Sequence, residues 1–258
     1  MDSGAPAQAV HAGMGTEISH TVFGRHAEEA LSAAVNELAR LEGLLSRFVP
    51  ESEVGRINRS AGRARVAVSP EVFEVLECAA GFAGRAPGLF DPTVGPLVDL
   101  WDYKRAQAAP APDLIRRALR LVGHGDLLLD PRARSAGLRR HGQSLDMGGV
   151  AKGFAGDRVM ELFRAYGIGS AFVNIGGGVN ALGGRPDGSP WRVGIRHPRE
   201  SGLLGAVAAA GRAVVTSGDY ERYFTDREGR RFHHILDPAA GYPARAGLIS
   251  ATVVAGSA

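Results

Sequence analysis

The two halves of the chain differ in hydrophobic periodicity, and this contrast constrains the fold more than any other feature. In the first half, apolar residues recur at helical spacing over 27–45, and Ser69 followed by Pro70 is typical of a helix start. The second half holds short strand-like runs such as SAFVNIGG, WRVGIR and AVVTSG. Helices followed by successive strands predict an α+β fold, with one compact domain, a largely antiparallel sheet and flanking helices.

Local patterns also predict individual elements. The runs GTEISHTVFG (15–24) and HGQSLDM (141–147) are typical of strands, and residues 113–122 and 150–166 are typical of helices. The first 13 residues (1–13) are small and polar, which predicts a disordered N-terminal tail ahead of a domain over 14–258.

Composition disfavours several classes of protein. The net charge is +3, but acids and arginines are interspersed and no aromatic residues interleave the basic runs, so no nucleic-acid partner is expected. No apolar run reaches the ~18 residues needed to span a membrane, and the N-terminus lacks the pattern of a signal peptide, which favours a cytoplasmic location. The single cysteine, Cys78, cannot form an internal disulfide and is expected to be a buried thiol.

The stretch LDMGGVAKGFAGD (145–157) places an aspartate and a lysine at a predicted helix start. Unpaired amides and partial positive charge at a helix N-terminus can hold an anion, and Lys152, one of two lysines in the chain, would add a full charge. The glycine spacing matches neither the Walker loop nor the dinucleotide fingerprint. A plain N-cap aspartate, Asp146, with a solvent-facing lysine explains the pattern equally well.

Two further stretches offer polar groups beside turns. The segment FDPTVGPLVDLW (90–101) could form a rigid wall for a planar ligand with Asp91 as a polar contact, or it could be a structural loop. In TSGDYERYF (216–224), Asp219 could orient a base or Ser217 bind a phosphate oxygen, and an ordinary capping turn is the alternative.

Adjacent histidines occur in FHHILDPAAGYPA (232–244). In a strand, His233 and His234 point to opposite faces, so they make a poor metal-binding pair. A single histidine with a pKa near neutrality is a good proton acceptor, which makes His234 a candidate base. The alternative is a structural histidine.

Seven segments, taken in chain order, resemble the ApbE family of FAD:protein FMN transferases. They are MGTEISH, LSRFVPESEVGRIN, FDPTVGPLVDLW, LDMGGVAKGFAGD, FVNIGGGVNALG, VVTSGDYERYF and HHILDPAAGYPA. The resemblance implies the T-fold-like α+β architecture of that family. It also implies Mg²⁺-dependent transfer of FMN from FAD to a threonine or serine of a target flavoprotein, through a phosphoester and with release of AMP.

The resemblance also implies roles for individual residues. His234 would be the general base for the incoming hydroxyl, and the backbone carbonyl of Gly149 would help to bind Mg²⁺. The residues implied in FAD binding are Met14, Phe48, Phe90, Asp91, Asp146, Lys152 and Ile235.

The same resemblance leaves two alternative functions open and implies a protein partner. Some relatives hydrolyse FAD to FMN and AMP, so an FAD pyrophosphatase is an alternative, and a non-catalytic flavin-binding protein is an alternative of another class. The acceptor would be a flavoprotein, such as a subunit of a membrane redox complex. Exported and membrane-associated forms are common in the family.

The chain departs from the family pattern at its last residues. Relatives continue into a run resembling Ala-Asp-Ala-Leu-Ala-Thr, whose aspartate and threonine are metal ligands, whereas this sequence stops at VVAGSA. The resemblance therefore predicts either a fragment of a full enzyme or a shortened member with weakened metal binding and impaired transfer. Gly178 is a smaller departure, at a position where the family often has an acidic or amide residue.

Overall fold

The computed structural model describes residues 5–258, which fold into two compact units. Unit 1 combines the described part of Met1–Glu42 with Ala151–Ser217 and Ser250–Ala258. Unit 2 combines Gly43–Val150 with Gly218–Ile249. The segments of the two units alternate along the chain, so no single boundary divides the sequence.

The elements, in chain order, are β1 (Ala7–Gly13), β2 (Thr16–Phe23), α1 (Ala27–Leu45), α2 (Glu53–Arg59), β3 (Val66–Ala67), α3 (Pro70–Arg85), α4 (Gly95–Trp101), α5 (Pro112–Leu119), a 3-10 turn (His124–Asp126), β4 (Leu127–Asp130), β5 (Ser135–Leu138), α6 (Ala151–Ala165), β6 (Ser170–Ile175), β7 (Gly178–Leu182), β8 (Trp191–Arg196), β9 (Leu203–Ala209), β10 (Ala213–Gly218), β11 (Tyr223–Thr225), β12 (Arg231–His233) and β13 (Ser250–Ala255).

Unit 1 is built on a six-stranded sheet with the order β1-β2-β6-β7-β10-β13. The described pairings, from β1 through to β10, are all antiparallel. Ile18, His20 and Val22 alternate along β2 and are buried on one face of this sheet. The prediction of an α+β fold with a largely antiparallel sheet and flanking helices is confirmed.

Helix α6 packs closely on this sheet because its contact face carries a glycine. A Cβ on Gly156 would lie 2.3 Å from the Oδ1 of Asn180 on β7, which leaves no room for any other residue type without movement. The carboxylate of Asp157, the next residue, accepts a hydrogen bond from the Asn180 amide at 3.1 Å. The same carboxylate accepts bonds from the Ser257 hydroxyl and the Ala258 amide, which fixes the residues after β13 against the helix.

Within unit 1, the hairpin of β8 and β9 packs through one of its faces on the rest of the unit. Trp191 lies 5.2 Å from Phe172 between ring centroids, and Val193 and Ala209 join a buried cluster with Val214 of β10. The alternation of strand side chains explains this arrangement, since every second residue of the hairpin is apolar and faces the cluster.

Unit 2 contains the three-stranded sheet β3-β5-β4, the hairpin of β11 and β12, and most of the short helices. One hydrophobic cluster of unit 2 is centred on Trp101, which is fully buried. The other buried residues of this cluster are Leu97, Ile115, Phe224 and Phe232. Trp101 donates its indole N–H to the carbonyl of Gly241 at 2.9 Å, so the polar edge of this large side chain is satisfied. No helix among the residues described is long and apolar enough to cross a membrane.

Several predicted elements are confirmed with small shifts at their ends. The strand predicted over 15–24 is β2, and the helix over 27–45 is α1. Helix α3 begins after Ser69, whose hydroxyl accepts a hydrogen bond from the Val72 amide as an N-cap. The helix predicted over 150–166 is α6.

Three predictions about local structure are wrong. Residues 7–13 form β1, paired along its length with β2, rather than a disordered tail; the rest of that predicted tail includes residues 1–4, which lie outside the described residues. The run HGQSLDM is not a strand, because only Ser144 forms a bridge, to Val94. Cys78 is exposed on α3 rather than buried.

Candidate active site

The loop that carries Asp146 is held in unit 2 by hydrogen bonds from three directions. The side-chain amide of Asn58 clamps the peptide groups of Leu145: its Oδ1 accepts from the Leu145 N–H at 2.7 Å and its Nδ2 donates to the Leu145 carbonyl at 3.1 Å. The Asp146 N–H donates to the carbonyl of Pro92 at 2.8 Å, and Gly95 N–H donates to the carbonyl of Ser144 at 3.2 Å. These contacts give the loop one conformation without a neighbouring strand along its length.

The carboxylate of Asp146 is fixed in orientation by two donors. Its Oδ1 accepts from the Gly148 N–H at 2.8 Å, and its Oδ2 accepts from the guanidinium of Arg47 at 3.2 Å. Arg47 also donates to Asp99 at 2.6 Å, and its side chain is only 8% exposed. One guanidinium thus holds two carboxylates, and that of Asp146 can still accept a further hydrogen bond from a ligand.

Two aromatic side chains flank this loop. Phe48 is 77% exposed, and the guanidinium carbon of Arg47 lies 5.5 Å from its ring centroid. Phe90 lies against Gly149, where an added Cβ would come within 2.9 Å of the Phe90 ring. An exposed aromatic beside a fixed carboxylate is suited to a planar ligand with polar edges. The structure thus brings together Phe48, Asp146, Gly149 and Phe90 of the predicted site.

Asp91 has its carboxylate engaged inside unit 2. Its Oδ1 accepts from the amide and the hydroxyl of Thr93 at 2.8 and 2.6 Å, and its Oδ2 accepts from the amide of His124 at 2.7 Å. Three donors on a buried carboxylate fix the shape of the 90–94 loop. A contact of Asp91 with FAD stays a prediction, and the side chain's observed contacts are those of a loop-fixing residue.

His234 directly follows β12 and has a defined ring orientation. Its Nδ1 lies 3.2 Å from the carbonyl of Arg222, and since a carbonyl only accepts, Nδ1 is the protonated nitrogen in the neutral ring. The lone pair of a neutral His234 is then on Nε2, the nitrogen a general base would use. The ring also lies edge-on to Tyr103, with 6.5 Å between ring centroids.

Tyr103 is shielded in the same part of unit 2. Burial raises the pKa of its hydroxyl, so Tyr103 is neutral at physiological pH. Its ring stacks on Trp101 at 6.2 Å between centroids. A neutral, packed side chain of this kind gives His234 a rigid neighbour rather than a charged one.

His233 and Ile235, on either side of His234, contact the same residue of the returning chain. The Nε2 of His233 lies 3.0 Å from the carbonyl of Ala244, and the Ile235 carbonyl accepts from the Ala244 amide at 2.9 Å. The turn between them is closed by Asp237, whose Oδ1 accepts from the amide of Ala239 at 2.8 Å. His233 therefore has a structural contact, and the role of His234 as a base stays a prediction.

Helix α4 connects the two parts of unit 2 that contain Asp146 and His234. Its first residue, Gly95, bonds to Ser144 in the Asp146 loop, and its last residue, Trp101, bonds to Gly241 in the turn after His234. A helix of seven residues is about 10 Å long, so both loops are tied to one short rigid element.

In unit 1, Met14 lies in the tight turn between β1 and β2. Met14 and Gly15 have φ angles of 51° and 71°, and positive values at both positions are typical of a type I′ hairpin turn. The first glycine of the NIGGG segment lies beside β2, since the Gly176 N–H donates to the carbonyl of Glu17 at 3.1 Å. The Gly177 amide in turn donates to the side chain of Asn174 at 2.8 Å.

Lys152 is the second residue of α6 in unit 1 and is half-buried. Its position in the first turn agrees with the helix start predicted from LDMGGVAKGFAGD, where the helix dipole favours anions. Neither Asp157, five residues further along α6, nor Arg47 was predicted from the sequence. The signal available for Asp157 was its position on the sheet-facing side of an amphipathic helix, where an acid requires partners.

The TSGDYERYF segment has structural contacts. The hydroxyl of Thr216 lies 2.8 Å from that of Thr252 on β13, within unit 1. In unit 2, the amide of Asp219 donates to the carbonyl of Ile249 at 3.0 Å. These bonds favour the interpretation of a turn that closes a strand.

The sequence profile of the ApbE family matches residues 14–258. Among curated proteins, the FAD:protein FMN transferase of Klebsiella pneumoniae (strain 342) is 38% identical over 231 residues, covering 88% of this chain and 71% of the relative. The protein of the same name from Treponema pallidum (strain Nichols) is 34% identical, covering 94% of this chain and 72% of its own length.

Solved structures agree with these sequence matches. The crystal structure of an ApbE protein from Thermotoga maritima superposes with a TM-score of 0.90 at 32% identity, covering 98% of this chain and 82% of the other. The flavin transferase ApbE from Vibrio cholerae gives 0.87 at 26% identity with the same coverage. Sequence and fold together show that the chain belongs to the ApbE family.

Proposed function

We propose that this protein transfers FMN from FAD to the hydroxyl of a threonine or serine in an acceptor flavoprotein and releases AMP. The observation that carries the proposal is the match over residues 14–258 to relatives that bear the name FAD:protein FMN transferase. A subunit of a membrane redox complex is a suitable acceptor, since such proteins carry flavin.

The Asp146 loop supports the flavin-binding part of this proposal. The exposed ring of Phe48 and the ring of Phe90 offer apolar surfaces to a planar group, and the carboxylate of Asp146 can accept a hydrogen bond from an N–H donor of FAD. In unit 1, the ammonium group of Lys152 supplies positive charge for a phosphate oxygen. Met14 and Ile235 are proposed as apolar contacts of the same substrate.

His234 is the proposed general base. Its Nε2 accepts the proton of the acceptor hydroxyl while that oxygen forms a bond to the phosphorus of the FMN phosphate. The bond from this phosphorus to the bridging oxygen of the pyrophosphate breaks, and AMP leaves with the electron pair. The products are the phosphoester, AMP and a protonated His234, which returns its proton to solvent.

The resemblance implies Mg²⁺, which would neutralise charge on the pyrophosphate in a reaction of this kind. Within residues 5–258, no three histidine, cysteine, aspartate or glutamate side chains lie together in a way that could hold a metal ion. A metal site built from three such side chains is therefore absent from the described residues. Binding of the ion by the Gly149 carbonyl stays a prediction, and the proposed steps use only this chain's own groups.

The test is to incubate the protein with FAD, MgCl₂ and a recombinant flavoprotein domain that carries a reactive threonine. We expect covalent flavin fluorescence on the acceptor band of a denaturing gel and an equal amount of AMP. An acceptor with that threonine replaced by valine is the control and should stay unlabelled. Free FMN with AMP would show a pyrophosphatase instead, and bound but intact FAD would show a flavin-binding protein without this activity.

A further inference from the structure

The hairpin of β8 and β9 lies in a segment with a positive net charge. The chain has 30 basic and 27 acidic residues, a net charge of +3. Residues 183–212, which contain the hairpin of β8 and β9, hold five arginines and two acids, which is also a net charge of +3. This positive net charge would attract an anionic surface to the hairpin.

The hairpin is held firmly through its inner face. Trp191 contacts both Phe172 and Phe23, at 5.2 and 6.2 Å between ring centroids, and Val193 lies in the buried cluster. The turn at the far end is also ordered, since the Nδ1 of His197 accepts from the amide of Glu200 at 2.8 Å. Because the inner face is fixed on the rest of unit 1, the outer face has a defined direction within that unit.

The outer face carries small side chains, leucines and arginines. Gly194 and its cross-strand partner Ala206 are exposed, and the side chain of Leu203 covers Gly194, since a Cβ there would lie 2.8 Å from the Leu203 Cδ1. Leu203 and Leu204 are 63% and 61% exposed. Arg192 and Arg196 share this face by strand alternation, and both are exposed.

We propose that the outer face of the β8–β9 hairpin binds the surface of an anionic lipid bilayer, with Leu203 and Leu204 entering the headgroup region and the arginines contacting lipid phosphates. Such binding combines apolar insertion with attraction to negative charge. It is independent of FMN transfer, so either proposal can fail without the other.

Two exposed leucines favour a bilayer over an acidic protein as the occupant. Both side chains are more than half exposed, and a bilayer buries protruding apolar side chains without a matching pocket. Arginine beside such side chains is suited to phosphate groups, to which its guanidinium can donate two hydrogen bonds.

Binding can be measured by sedimentation of the full chain with vesicles of phosphatidylcholine, with and without about 30% phosphatidylglycerol. We expect binding to the anionic vesicles only, weakened by salt as screening increases. The double variant Arg192→Gln/Arg196→Gln should lower the partition coefficient by roughly tenfold. The variant Leu203→Ser/Leu204→Ser should lower it by a similar factor, and FAD binding should stay unchanged in both.

Matched control variants are available on other exposed surfaces. Arg63→Gln/Arg132→Gln removes two exposed arginines elsewhere, and Leu114→Ser/Leu248→Ser removes two exposed leucines. Both controls should bind vesicles like the unmodified protein. Equal loss in the controls and the hairpin variants, or no binding to anionic vesicles, would overturn the proposal. Arginine-dependent binding to polyglutamate without binding to vesicles would overturn it in favour of an acidic protein partner.

Discussion

The guanidinium of Arg47 donates a hydrogen bond to the carboxylate of Asp146, although the two residues are far apart in the sequence. The arginine side chain is almost fully buried, and its second contact is the more exposed Asp99. The orientation of the predicted flavin-binding carboxylate is thus set by a residue of the chain just after α1.

Replacing Arg47 should affect both stability and FAD binding. We expect Arg47→Met to lower the free energy of unfolding by about 1–3 kcal/mol, since Asp146 loses a charged donor. FAD affinity should fall by roughly tenfold because the carboxylate is no longer held in place. Urea unfolding and a titration of flavin fluorescence measure the two effects. The exposed Arg40, paired with Glu37 on α1, offers the control Arg40→Met, and equal effects of the two substitutions would contradict this role.

Replacing His234 should slow the chemical step without weakening substrate binding. Loss of a general base costs about 10²–10⁴-fold in rate, so we expect His234→Ala to lower the single-turnover rate of FMN transfer by that factor. The FAD dissociation constant should stay within about twofold. His26→Ala, at an exposed position, is the control, and an unchanged rate in His234→Ala would exclude His234 as the base.

His20 should make the protein less stable at acidic pH. Burial, together with the neighbouring His11, lowers the pKa of His20 from 6.5 to about 4. Its Nδ1 is buried without a hydrogen-bond partner, and its Nε2 lies 3.0 Å from that of His11. Because the folded-state pKa is below the unfolded value, the unfolded chain binds more protons between these two pH values. The stabilising contribution is therefore present above pH 6.5 and lost as the pH falls to about 4.

The size of this effect is at most about 3 kcal/mol, from the difference between the two pKa values. Urea unfolding at several pH values measures it. In His20→Leu, the decrease in the free energy of unfolding between neutral and acidic pH should be smaller by that amount. The control His26→Leu should keep the pH dependence of the unmodified protein. If His20→Leu also keeps that pH dependence, the prediction is wrong.

A methyl group added at Gly156 of α6 should push this helix away from the six-stranded sheet. We expect Gly156→Ala to lower the free energy of unfolding by about 1–3 kcal/mol, since its Cβ would overlap the side chain of Asn180. Gly84, on α3, has no atom within 4 Å of an added Cβ, so Gly84→Ala should instead raise stability by about 0.5–1 kcal/mol. Thermal or urea unfolding of the two alanine variants gives the comparison, and a change of the same sign in both would contradict it.

The elements that follow from sequence are those whose periodicity is local. Helix α1 has an apolar stripe over its whole length, and α3 has a capping serine and a proline, so both could be predicted from neighbouring residues. Strand β1 could not, because AQAVHAG has few strand-favouring side chains and is held by pairing with β2. Tertiary pairing decided its conformation.

The candidate site was predictable in part for the same reason. The resemblance to a family selected Phe48, Asp146 and Phe90, and the structure places them around one loop. The Asn58 clamp on Leu145 and the contact of Arg47 with Asp146 join distant segments, so no local pattern could indicate them. HGQSLDM alternates like a strand, but a side-chain amide satisfies the Leu145 peptide groups instead of a ladder.

The alternation of unit segments along the chain has a consequence for synthesis on the ribosome. Strand β2 pairs with β6, and His20 lies opposite Val173 in this pairing. The partner strand of β2 therefore leaves the ribosome about 150 residues after β2. At typical elongation rates this delay is roughly 8–30 s. During that interval the β1–β2 hairpin has an unpaired edge and an uncovered apolar face. The nascent chain therefore has a period in which it is open to chaperones and to self-association, before the central pairing of the sheet can form.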